Sequence, residues 1–332
     1  MEFIKLAYVG DIDIYMHIKG YASFFSSPYT PHINGAAVDI SNSTEFGEDA
    51  LSPISGCVER IQKIEAPLGG YSSTDYVIAM KLKDGKFMAK LMHVIPAVSI
   101  GERVNVGDSI GRYLRSNYLS YHHIPHIHLE ICRDSSLRPS KAVKLMFNYE
   151  LFNDTSIAQE LIAGRSLIVR INEVRRNFIL CSTDNPLALG VLCRTSKGSI
   201  GLINGQLGLG LDYVGYIHIA SKPYVNEKVA IASTYIGYIK RNGKWYSLVI
   251  PDFYVSFNEW LYSRTNLLNL VTGFSNCFKG LAITVKEGDL NIKGVEFLIS
   301  RKAQVKLVLP DSEASKYDLG EGELLHLELK RA

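Results

Sequence analysis

His126-Ile-His-Leu-Glu-Ile-Cys132 decides how the first half of the chain is read. Its residues alternate in character with the period of a strand, and on a strand residues i and i+2 share a face. His126 and His128 therefore point into one space, and Glu130, on the same side, reads as an ordinary strand glutamate. Neighbouring segments have the same period. Tyr76-Val-Ile-Ala-Met-Lys-Leu-Lys83 predicts a strand, Asp84-Gly85 a tight hairpin turn, and Phe87-Met-Ala-Lys-Leu-Met-His-Val94 the returning strand. Helical signals are few before Arg133, so this half predicts a mainly antiparallel sheet.

The histidines are unevenly placed. Of nine, seven lie before residue 130: His17, His32, His93, His122, His123, His126 and His128. A His-x-His pair needs further ligands of suitable type to hold a metal, and Pro31-His-Ile-Asn-Gly-Ala-Ala-Val-Asp-Ile40 supplies them. Asn34-Gly35 invites a sharp turn, Ala36 and Ala37 allow close backbone approach, and Asp39 can return beside His32. Two imidazoles and one carboxylate make an open zinc set, with a fourth position for water. His93, at the end of its strand, joins the cluster as a candidate acid, base or transition-state donor. His122 and His123 read as a solvated loop.

Composition narrows the class. The 332 residues suffice for two domains, and 47% hydrophobic with 21% charged residues is ordinary for a globular protein with real cores. A net charge of +3, without a basic stripe interleaved with aromatics, argues against nucleic acid. No uncharged apolar stretch reaches the length of a membrane span, and Asp11 and Asp13 interrupt any leader-like run, so the expected location is the cytoplasm. Five cysteines without a CxxC pair (Cys57, Cys132, Cys181, Cys193 and Cys277) predict reduced, mostly buried thiols.

After Arg133 the character changes. Asp154-Thr155 can cap a helix over 156–163 with Gly164 as its stop, and the domain boundary is placed here, giving domains 1–150 and 151–332. The second domain is again β-rich with a few helices. Strands are expected at Ser166–Ile171, Lys228–Ala232 and Tyr246–Ile250, a helix at Phe257–Leu270, and hairpins at Asn204-Gly205 and Asn242-Gly243. Gly205-Gln-Leu-Gly-Leu-Gly210 lacks the strand and helix that a nucleotide loop requires and reads as a turn or bulge.

Four elements together resemble the LytM/lysostaphin-type (M23) zinc metallopeptidases. Gly47–Val58 resembles the family's opening strand pair, Lys90-Leu-Met-His-Val94 its central histidine motif, Ile100–Gly111 the glycine-valine run that follows, and Pro125-His-Ile-His-Leu-Glu130 the closing HxH motif. The first motif departs from the family's H-x3-D. His32-x-x-Gly35-x-Ala37-x-Asp39 instead resembles the HxxGxAxD of the related D-Ala-D-Ala carboxypeptidase and hedgehog branch, which has ExxH in place of HxH. The resemblance covers roughly residues 28–132. It implies that His32, Asp39 and His128 bind Zn2+, that His93 and His126 flank the activated water, and that the substrate is a peptide or protein. The alternative is a zinc-containing binding or scaffold module, inactive as an enzyme, whose C-terminal domain engages a protein partner.

Overall fold

The computed structural model describes residues 3–83, 85–148, 167–183, 189–209, 213–219, 221–232, 234–250, 282–285, 290, 292–310 and 314–330. The expected helices at 156–163 and 257–270 lie outside them. The protein is mainly β. It forms two compact units, Met1–Asn153 with Leu298–Lys302, and Asp154–Phe297 with Ala303–Ala332. Among the described residues no helix is long and apolar enough to cross a membrane.

The first unit runs β1 (Phe3–Val9), β2 (Ile12–His17), β3 (Tyr21–Ser23), α1 (Thr30–Ile33), β4 (Ala37–Ser41), β5 (Asp49–Leu51), β6 (Gly56–Glu65), β7 (Thr74–Lys81), β8 (Met88–Met92), β9 (Val94–Pro96), β10 (Arg103–Val104), β11 (Ser109–Tyr113), β12 (Ile127–Cys132) and β13 (Met146–Phe147). Its main sheet has seven antiparallel strands in the order β10-β6-β7-β8-β12-β4-β3. β12 lies between β8 and β4 and is buried along its whole length. The alternation read from its sequence separates the two faces: Ile127, Leu129 and Ile131 enter the apolar core with Val38 and Leu91, while His128 and Glu130 face the other way. Each such core side chain contributes about 1.5–3 kcal/mol by leaving water. That burial fixes the register, because a one-residue slip would put every histidine into the core.

The strand expected to run through to Val94 is broken. His93 sits between β8 and β9 with φ +68°, a left-handed conformation that ends one strand and redirects the next. β9 then leaves the main sheet and pairs with β11, which in turn pairs with β5.

In the second unit six strands close on themselves. Val191–Thr195, Lys228–Ile231, Thr234–Asn242, Tyr246–Ile250, Val214–His218 and Ile200–Leu207 pair in that order, and the last pairs back to the first. Val214, Tyr216, Val229, Ile239 and Val249 belong to its buried core. Asn242-Gly243 is the expected hairpin, with Asn242 opposite Ser247. Asn204-Gly205 is not. Both residues lie inside Ile200–Leu207, and Gly205, at φ +110°, marks where that strand leaves Val214–His218 and turns to pair with Gly294–Phe297. Of the described cysteines, Cys132, Cys181 and Cys193 are buried and Cys57 is half-buried; all four are free thiols.

Gly111 closes the glycine-valine run on β11. It has φ +144°, and a Cβ there would stand 1.9 Å from the Ile95 carbonyl oxygen of β9. Gly101 also has positive φ (+89°), but a Cβ would meet nothing within 4 Å. Gly111→Ala is expected to cost more than the roughly 1–3 kcal/mol of backbone strain, because β9 must also move, whereas Gly101→Ala incurs the strain alone. Urea unfolding of both variants reads the difference; equal losses would show that the β9–β11 contact is not tight.

Candidate metal centre

His32 is carried by α1, a single helical turn. Pro31 opens it, and Gly35, at φ +62°, closes it. Gly35 N–H donates to the His32 carbonyl at 3.0 Å and Ala36 N–H to the Pro31 carbonyl at 2.7 Å. The chain reverses there and enters β4 directly, which brings Asp39 back beside His32. Asp39 stands opposite His128 in the β4–β12 ladder. The three side chains meet: His32 Nε2 is 3.4 Å from Asp39 Oδ1, His128 Nδ1 is 3.0 Å from the same oxygen, and the two ring nitrogens are 3.1 Å apart. All three residues are buried. Among the described residues this is the one cluster of metal-ligating side chains.

The outward partners fix which atoms face inward. His32 Nδ1–H donates to the Phe24 carbonyl at 2.7 Å, and His128 Nε2–H donates to Glu130 Oε1 at 3.0 Å. Those bonds assign the tautomers. They leave His32 Nε2 and His128 Nδ1 as lone pairs aimed at each other and at a carboxylate oxygen. Three electron-rich atoms this close need a positive charge between them. A proton can supply it: burial disfavours charge on His128, but the hydrogen bonds and charges of Asp39 and Glu130 outweigh burial and push its pKa up to about 9. A dication can supply it better. Tetrahedral zinc with bonds near 2.0–2.1 Å spaces its ligand atoms about 3.3–3.4 Å apart, close to the observed triangle. Donor types, tautomers and spacing all fit that ion.

Each ligand is held from behind. Ser26 Oγ donates to Asp39 Oδ2. Burial would raise the Asp39 pKa, but the charges of His126 and His32 and the hydrogen bond of His128 keep it well below the usual carboxylate range. Glu130, read from the sequence as an ordinary strand glutamate, is instead fully buried against His128. Lys90 Nζ reaches its Oε1 at 2.8 Å, and His128 and Lys90 together overcome burial and hold its pKa at about 2. Tyr29 lies edge-on to the His128 ring, with centroids 5.6 Å apart.

Two further histidines flank the triangle without joining it. His126 Nδ1–H donates to the Ile124 carbonyl at 2.7 Å, leaving Nε2 as an acceptor 3.6 Å from Asp39 Oδ2. Burial lowers its pKa against the pull of Asp39. His93 has a different neighbour. Its Nδ1–H donates to Asp75 Oδ2 at 2.6 Å, and its backbone N–H donates to Asp75 Oδ1 at 3.1 Å. Asp75 also accepts from Ser116 Oγ at 2.6 Å and from Tyr76 N–H at 2.7 Å. Burial of this carboxylate is outweighed by the bond and charge of His93, which lower its pKa. The His93 ring centroid lies 5.3 Å from that of His126 and 6.2 Å from that of His128.

The structure thus brings together His32, Asp39, His128, His93 and His126, the five residues singled out in the sequence. Asp75, Ser26, Ser116 and Lys90 were not singled out. His122, expected in a solvated loop, is buried, and the His122, His123 and His126 rings follow one another at 4.8 and 5.8 Å.

A family model described as the N-terminal domain of a domain of unknown function (DUF8155) matches residues 13–146. No curated protein matches the chain. Among solved structures, the catalytic domain of the antimicrobial peptidase lysostaphin from Staphylococcus simulans is similar at 20% identity, covering 38% of this chain and 86% of that one, with a TM-score of 0.27. The antimicrobial peptidase lysostaphin from the same organism is similar at 13% identity, covering 70% and 87%, with a TM-score of 0.26.

Glu130→Gln removes the ionised acceptor of His128 Nε2–H while keeping the side chain's shape. Loss of such a partner costs roughly 10–100-fold in metal affinity. Competition against a chromophoric zinc chelator is expected to show a drop of that size. Unchanged affinity would mean that Glu130 serves only to balance Lys90.

Proposed function

We propose that the first unit is a zinc-dependent hydrolase that cleaves peptide bonds with an activated water, in the manner of the LytM/lysostaphin-type metallopeptidases its motifs resemble. The observation that carries the reading is the triangle of His32 Nε2, Asp39 Oδ1 and His128 Nδ1, with edges of 3.0–3.4 Å and no hydrogen-bond donor among the three atoms. His32, Asp39 and His128 would hold the metal. Zinc bound there supplies Lewis acidity and brings the pKa of water toward about 7.

The chain's own residues divide the proton work. His126 is held in the tautomer whose Nε2 accepts, so it suits the removal of a proton from the attacking water. His93 is held through Nδ1 by an ionised carboxylate, which stabilises its imidazolium form and leaves Nε2–H to donate to the oxyanion of the cleaved carbonyl. Asp75 acts through His93 as a positioning residue, as does Ser116 through Asp75.

Metal analysis of the purified chain is expected to give about one zinc per molecule, lost in Asp39→Ala and His128→Ala. His93→Ala is expected to keep its zinc and lose about 10²–10⁴ in peptide hydrolysis, the usual contribution of a positioned acid or base. A wild type that stays metal-free when incubated with zinc would overturn the proposal.

A further inference from the structure

Arg115 lies between two residues that support His93. The Leu114 N–H donates to the His93 carbonyl at 2.9 Å, and Ser116 Oγ donates to Asp75 Oδ2 at 2.6 Å. The guanidinium is sandwiched between two aromatic rings, its centre 4.1 Å from the Tyr71 centroid and 4.9 Å from that of Phe46. Its NH2 group donates twice at 2.8 Å, to the Tyr71 hydroxyl and to the Tyr121 carbonyl. Tyr71 is fixed in turn: Asn117 Oδ1 accepts from the Tyr71 N–H at 2.8 Å, and Asn117 Nδ2 donates to the Tyr71 carbonyl at 3.2 Å.

This cation is immobilised but not neutralised. Among the described residues no carboxylate pairs with Arg115, and its Nε is buried without an acceptor. The NH1 group carries no hydrogen bond. A charge held flat between two rings gains cation–π attraction and loses the freedom to reach for solvent or a distant partner. A rigid guanidinium with unspent donors is the arrangement that recognises a carboxylate. Its position places that carboxylate beside the His93–Asp75 pair, at the root of the loop that Tyr121 leads toward His126.

We infer that Arg115 is an anion subsite that takes a carboxylate of the substrate, so that the preferred peptides are acidic on the His93 side of the scissile bond. The inference rests on the hydrolase reading for the word substrate, but the subsite itself does not depend on turnover. The carboxylate comes either from a free chain terminus or from an acidic side chain.

Three N-acetylated, fluorescently labelled oligoalanine peptides separate these cases: one with a free C-terminal carboxylate, its C-terminal amide, and an amide with one internal glutamate. Each is titrated by fluorescence polarisation against the full-length, zinc-incubated protein and against Arg115→Gln and Arg115→Lys. At least one acidic peptide is expected to bind about tenfold tighter than the plain amide, the worth of one hydrogen bond between ionised groups. Arg115→Gln is expected to erase that preference while zinc content and melting temperature stay at wild-type values. Arg115→Lys keeps the charge without the flat fork and is expected to retain part of the preference, which guards against loop collapse in the glutamine variant. Equal binding of all three peptides to wild type, or no binding of any, overturns the proposal. So does a glutamine variant that weakens acidic and amide peptides alike, since Arg115 would then only staple loops. A carboxylate preference without zinc or hydrolysis would overturn the hydrolase reading and leave the subsite standing.

Discussion

The first unit depends on keeping three electron-rich atoms together in a buried place. His32 Nε2, Asp39 Oδ1 and His128 Nδ1 would separate if each were free to choose, since none can donate to the others in the tautomers their outer partners impose. What holds them is the scaffold. β4 and β12 are antiparallel neighbours whose register is set by Val38, Leu129 and Ile131 on the opposite face, so Asp39 and His128 stay opposite each other because the core would be spoiled by any slip. The helical turn of α1 adds the third member without a long loop, and Gly35 permits the reversal. Hydrophobic burial on one side of the sheet thus maintains electrostatic tension on the other, and the tension is relieved by a cation.

The two flanking histidines show how one residue type acquires two characters. His126 gives its Nδ1–H to a neutral carbonyl, while His93 gives the same hydrogen to a buried carboxylate. The first arrangement favours the neutral ring and the second favours the protonated one. His93 also bears a left-handed backbone, unfavourable for a residue with a Cβ. The strain persists because Asp75 grips both its backbone and its ring, and Leu114 grips its carbonyl. Strain that is over-determined in this way is typical of functional positions.

Much of this was legible in the sequence, and what was not has physical reasons. Period-2 alternation identified β12 and the strands around it, and His-x-His with an upstream His and Asp named the cluster, because side-chain direction on a strand follows from spacing alone. The break at His93 was invisible, since Lys90–Val94 has ordinary strand composition and the distortion comes from Asp75, distant in sequence. Asp75 itself carried no signal: a carboxylate at the start of a strand looks like any turn residue. Glu130 was placed on the correct face but given the wrong role, because burial depends on Lys90 lying opposite it in β8. Asn204-Gly205 has the composition of a hairpin, but the glycine's freedom is used to let one strand change partners, a tertiary demand that local chemistry does not encode.

The Lys90–Glu130 pair bears on why such a site is built at all. Burying an ion pair seldom adds stability, because desolvation of the two charges offsets most of their attraction. Here the pair does something an apolar replacement could not. Lys90 lets Glu130 remain ionised in a fully buried place, and the ionised Glu130 fixes the His128 tautomer by accepting from Nε2–H. A leucine pair would pack as well and leave His128 free to turn its other nitrogen inward or flip the ring away. The charges are retained for orientation, and stability is supplied by the apolar face behind them.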